Sequence, residues 1–157
     1  MDDVILARAI HVLAVIHWIG GVAFVTAVIL PTIAAVADPE RRLALFEAIE
    51  RRFSVQVKVS VPLAGLSGAY IAQRLDLWPR FVEPAGWWLA AMALLWLLFM
   101  AILFVIEPFV LHGRLRQRAH REPALAFRLL RRAHGGLLAA GFLVAAAAVL
   151  GAHGLLN

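Results

Sequence analysis

From Ala9 to Ala37 the chain reads AIHVLAVIHWIGGVAFVTAVILPTIAAVA, without one Asp, Glu, Lys or Arg. A bilayer-spanning helix needs roughly 20 mostly apolar residues. In lipid the backbone must satisfy its own hydrogen bonds, so a single segment of this kind crosses as a helix. Three further segments share this character. The predicted spans are about residues 5–31, 55–77, 84–111 and 133–156. Hydrophobic residues make up 63% of the 157, against roughly 45–50% in soluble domains. The fold class expected is therefore all-α: one integral membrane domain over residues 1–157, built as a four-helix bundle. The second span is the least apolar. Lys58 and Arg74 bracket its uncharged core, Pro62, Gly65 and Gly68 lie within it, and Lys58 is expected to snorkel to the interface.

Charge gives the spans a direction. The connections at about residues 38–54 and 112–132, with Lys58, hold Arg41, Arg42, Arg51, Arg52, Arg114, Arg116, Arg118, Arg121, Arg128, Arg131 and Arg132. Only Arg8, Arg74 and Arg80 fall at the other end. The positive-inside rule then places both loops in the cytoplasm and both termini outside. A multi-pass protein of a bacterial inner (plasma) membrane is expected. The basic charge reads as topology and contact with anionic lipid, not as nucleic-acid binding. Asp2 and Asp3 oppose a cleaved signal peptide, so the first span is expected to be retained. In the first loop Leu43, Phe46, Ile49 and Phe53 recur at helical spacing. They predict an amphipathic helix between spans 1 and 2, at the interface or under the bundle, starting at Asp38-Pro39.

Within these spans the histidines carry the chemistry. An ionisable side chain inside a membrane segment is a functional candidate by default, and imidazole is a common ligand of metals and haem iron. His11 shares a helix face with Trp18, seven residues on. His17 lies beside Gly20, Gly21 and Phe24. On the fourth span His134 aligns with Gly141, and His153 with Gly135 and Phe142. His11 and His153 fall at similar depth, near the outer ends of their helices, and His17 is deeper. His11, His153, His17 and His134 are thus the candidate metal ligands, His134 as the alternative that would serve a second, inner site. His112 and His120 read as interfacial residues. Gly20 and Gly21 offer either close helix packing or room for a flat cofactor. Trp18, Phe24 and Phe142 are candidate cofactor walls. Arg8 is a candidate partner for a haem propionate. Met92, at the depth of His11, is a core filler or an iron ligand. Glu107 is expected to pair with an arginine of a basic loop or to relay protons. With no cysteine, disulfides, zinc-thiolate sites and iron–sulfur clusters are excluded. No paired carboxylates, Ser-His-Asp set or phosphate loop points to a hydrolase.

The first span carries the pattern H-x6-W-x-G-G, formed by His11, Trp18, Gly20 and Gly21. The second opens Arg52-Phe53-Ser54 and continues to Gly65, Ser67 and Gly68. Together these resemble the CopD-like family of bacterial membrane proteins. The first span is also similar to the HemJ-type protoporphyrinogen oxidases, four-helix haem proteins. That resemblance implies haem b, with His11 in the ligand position. It also implies a lysine early in the third span, where this chain reads GWWLAAMALLW, with Ala91 or Met92 at that place. The CopD-like resemblance implies copper uptake or tolerance. The soft sulfur ligands that suit Cu(I) are limited to three methionines.

Three functions are expected in order. The first is a haem b-binding electron-transfer protein, an oxidoreductase component that works with a quinone or a redox protein and has His11 and His153 as its first ligand pair. The second is copper uptake or binding through His11, His17 and His153. The third is a non-catalytic subunit of a larger complex whose histidines bond across helices. A homo-oligomer is compatible with each.

Overall fold

The computed structural model describes residues 1–36, 38–108 and 114–156, and they are overwhelmingly helical. Four helices are long and apolar enough to cross a membrane: α1 (Asp2–Ala34), α2 (Pro39–Arg74), α3 (Pro84–Ile106) and α5 (Pro123–Ala152). A short helix, α4 (Arg114–Arg121), precedes α5. The result is an all-α four-helix bundle with no strand among the described residues. The ends of α1 and α2 that share the first basic connection form the basic end of the bundle, and the opposite one is the terminal end.

Several boundaries differ from the expected ones. The amphipathic stretch after Pro39 is not a separate helix, because it runs into the second span as one unit of 36 residues. Asp38 caps it, its carboxylate accepting from the Glu40 N–H at 3.0 Å, and Pro39 takes the first helical position. The charged turns Pro39–Phe53 bury Leu43 and Phe46 beneath the bundle, with Phe46 against Leu30 and Ile33 of α1 and Phe127 of α5. No glycine, proline, asparagine or aspartate interrupts the stretch from Glu40 to Val61, so no strong breaker stands between the amphipathic turns and the span. The fourth span begins ten residues early for the same reason: AFRLLRR continues helically once Pro123 has started it. Arg128, Arg131 and Arg132 stay exposed on that extension.

Two wide turns shape α1 and α3. Val25–Ile29 and Ile102–Ile106 are π-helical, and each stands just ahead of a proline, Pro31 and Pro108. Leu30 and Glu107, the residues before those prolines, donate their N–H to carbonyls five residues back, at Val25 and Ile102. A helical proline lacks a donor and crowds the carbonyl four residues before it. An extra residue in the preceding turn relieves that crowding and re-aims the side chains beyond it.

Aromatic rings seated in glycine notches fix the helix neighbours. A Cβ on Gly21 would overlap the Phe53 ring, which joins α1 to α2. One on Gly65 would overlap the Trp96 indole, joining α2 to α3, and one on Gly151 would overlap Trp88, joining α5 to α3. Small residues thus serve the close approach that membrane helices favour. The central core gathers Ala14, Trp18 and Val22 of α1, Val57 and Val61 of α2, and Phe99 and Leu103 of α3. At the terminal end Asp3 accepts from Tyr70 at 2.9 Å and from Arg74 at 2.7 Å, clasping α1 to α2.

Candidate functional site

The seam between α1 and α2 holds two of the expected histidines. One face of α2 buries Ser54, Val57, Ser60, Val61, Ala64 and Ser67, the three- and four-residue steps of a helix. Its three serines form a polar ladder along an otherwise apolar face. His11 meets the top of that ladder. Its Nδ1 lies 2.8 Å from the Ala64 carbonyl and 3.3 Å from the Ser67 hydroxyl oxygen. A carbonyl only accepts, so Nδ1 carries a proton and donates it, and Nε2 lies outside this bond. Gly68 leaves the space for this ring: a Cβ there would stand 3.1 Å from the imidazole. Six residues deeper, His17 Nδ1 lies 3.1 Å from the Ser60 hydroxyl. Sequence reasoning passes over Ser60. The signal that points to it is the spacing of Ser54, Ser60 and Ser67 on one face of an apolar span.

The other expected residues occupy scattered positions. Trp18 is 4% exposed, edge-on to Phe99 with ring centroids 4.7 Å apart. Its indole N–H meets no acceptor among the described residues, so it is a core residue of the bundle. Gly20 is exposed with nothing within 4 Å of its Cβ position, whereas Gly21 is the Phe53 notch. Phe24 and Phe142 face outward from α1 and α5. Arg8 is exposed on α1, three residues before His11. His153 closes α5 as its C-cap, exposed, with Nδ1 donating to the Val149 carbonyl at 2.8 Å. His134 donates likewise to the Leu130 carbonyl at 3.1 Å and stands edge-on to Phe46. Met92 packs beside Trp88, Leu89 and Ala147. His112 lies outside the described residues.

Glu107 departs from expectation. Its partner is Lys58 and not a loop arginine: Lys58 Nζ donates to Glu107 Oε1 at 2.9 Å, and Ser54 Oγ donates to the same oxygen at 2.5 Å. Lys58 therefore turns inward instead of snorkelling. The cause is Glu107, which is 9% exposed and faces α2 directly after the π turn of α3. A carboxylate this buried requires a cation and donors close by. His120 of α4, expected as an interfacial residue of the second basic loop, lies 3.4 Å from Glu47.

No three His, Asp or Glu side chains among the described residues come together as a metal-binding group. His11 and His153 are not joined by any hydrogen bond or ring contact among those residues, and each has its own carbonyl partner. The sites that fit a haem ligand are single imidazoles: His11, His134 and His153 each use Nδ1 on a carbonyl and leave Nε2, the nitrogen that can bind iron, outside that bond. Of the three expected wall residues, Trp18 turns into the core while Phe24 and Phe142 face outward from different helices. Compared with protein-family models, with curated proteins and with solved structures, the chain matches none.

Proposed function

We propose that the protein is a haem b-binding protein of a bacterial inner membrane, with His11 as an axial ligand. The observation that supports this reading best is the hydrogen bond from His11 Nδ1 to the Ala64 carbonyl. Outer-shell bonds of this type fix the tautomer, orient the ring and raise the basicity of the free nitrogen. Ser67 and Gly68 add to the same cradle, one by a second acceptor and one by leaving room. Bound haem supplies one-electron transfer, with a quinone or redox protein as the membrane partner. The chain's own contribution is to hold the imidazole and, through Arg8 one turn away, to offer a cation to a propionate.

Phe24, Phe142 and His153 all face outward. Only 28% of the apolar window of α1 and 17% of that of α5 is buried within the chain. A haem held at His11 is therefore covered by a second copy or by lipid, and we propose a homo-oligomer on that ground. The basic end faces the cytoplasm in this reading, with both termini outside.

A second reading rests on His17. Its bond to Ser60 and that of His11 to Ser67 join α1 to α2 without any cofactor. On that reading the protein is a non-catalytic membrane subunit whose histidines act as interhelical links. Visible spectra of the purified protein, oxidised and reduced, separate the two. A Soret band with sharp reduced bands that His11→Ala abolishes supports haem. A colourless protein after expression with ample haem favours the second reading. Copper carried by that colourless protein would instead revive the copper alternative.

A further inference from the structure

The Arg52-Phe53-Ser54 motif divides its labour. Ser54 serves Glu107, and Phe53 fills the notch over Gly21. Arg52 is exposed and has no carboxylate partner among the described residues. Of the nearby acids, Glu107 is engaged with Lys58 and Glu47 with His120, and Glu50 is half-buried close to those same groups, Glu107, Glu47 and Lys58. Beside Arg52, α1 and α2 enclose a groove of about 230 Å³. Its walls are apolar, from Phe24, Val25 and Ile29 of α1 and Ile49 and Phe53 of α2. Two of those α1 residues belong to the π turn, and Gly21 adds no side chain to the floor. Polar groups enter only from α2, as Arg52 and Gln56. The groove therefore pairs an apolar trough with one unneutralised guanidinium.

Its level in the bundle fits a bilayer interface. The charged turns of α2 end at Phe53 and the apolar span begins at about Val55. Phosphate headgroups lie at that boundary, and acyl chains lie beyond it. Arg binds phosphate oxygens through two parallel N–H donors, a geometry no other cation offers.

We propose that this groove is a binding site for one anionic glycerophospholipid of the leaflet at the basic end, its phosphate on Arg52 and an acyl chain between the α1 π turn and Ile49–Phe53. The site is independent of haem. Arg51, also exposed but absent from the groove lining, supplies the internal control.

The test is native mass spectrometry of the full chain in detergent with added phosphatidylglycerol, phosphatidylcholine or diacylglycerol. One phosphatidylglycerol should be retained per chain, more tightly than phosphatidylcholine, with diacylglycerol not retained. A cationic side chain at a membrane surface contributes about 1 kcal/mol toward anionic lipid. Arg52→Gln should accordingly weaken retention by about fivefold or more, while Arg51→Gln leaves it at the wild-type level. Equal loss in both variants, equal retention of all three lipids, or no effect of Arg52→Gln would overturn the proposal. A second measurement needs no variant. Phosphatidylglycerol carrying a photoreactive acyl chain should label peptides 24–29 and 49–56 of the wild-type protein above the rest. Labelling spread evenly over the four helices would also overturn it.

Discussion

Trp18 and Trp96 are both indoles in the central core, yet only Trp96 uses its N–H, which donates to the Val61 carbonyl at 2.9 Å. Trp96→Phe should cost about 0.5–1.5 kcal/mol for that bond beyond the change in volume. Trp18→Phe forfeits no bond, so reversible unfolding in detergent should rank it as the milder change. The Lys58–Glu107 pair makes a sharper case. Lys58→Leu strands a buried carboxylate and should destabilise by about 1–3 kcal/mol or more. Lys58→Leu with Glu107→Leu should recover much of that, since an apolar replacement of a buried pair is often neutral. A double variant less stable than Lys58→Leu alone would contradict this assignment of the pair. These partners are hidden in the sequence. Glu107 is legible there as a membrane carboxylate in need of a cation, but the many loop arginines mask the one lysine that meets it. Inter-helix pairing depends on rotation about each axis, which composition and spacing leave open.

At the scale of the helix, the apolar runs and the Asp38-Pro39 start are readable because each is a local signal: length, capping and the fixed φ of proline. The fusion of the amphipathic turns with the second span is not. Polarity changes at Phe53 while helicity does not, and a change of environment looks like a boundary in a hydropathy profile. The π turns are equally silent, since an added residue disturbs only the backbone bonding. They nevertheless set the register of the helix beyond them. The α3 wide turn holds one residue more than an α turn, so deleting Phe104, an exposed member of it, should let the turn close to an α turn and leave Glu107 facing Ser54 and Lys58. The expected result is a stability close to that of the wild type, with the full loss from Lys58→Leu retained when the two changes are combined. A loss as large as that of Lys58→Leu from the deletion alone would show that the extra residue is needed to aim Glu107.

For the whole molecule, the predicted four-span plan agrees with four helices long and apolar enough to cross a bilayer. The direction of crossing is a separate claim, resting on the basic end. A chain without cysteine lends itself to testing it. A cysteine placed at Asp2 or at Gln117 should be reached by an impermeant thiol reagent from opposite sides of the membrane, the one at Asp2 from outside. Labelling of both from the same side would contradict the topology. Of the site, the sequence marks His11 and its glycine-rich neighbourhood. It does not reveal that Ala64 and Ser67 hold the ring, that Trp18 turns into the core, or that Phe24 and Phe142 face outward. Each of those depends on which helix packs against which.

The central claim is that His11, cradled by Ala64, Ser67 and Gly68, binds haem iron. Reduced-minus-oxidised visible spectra of the wild type, His11→Ala and His17→Ala test it most directly. Sharp haem b bands should be present in the wild type, lost or shifted in His11→Ala, and kept in His17→Ala. A wild type without haem bands despite ample haem supply, or a His11→Ala spectrum identical to the wild type, would contradict the claim.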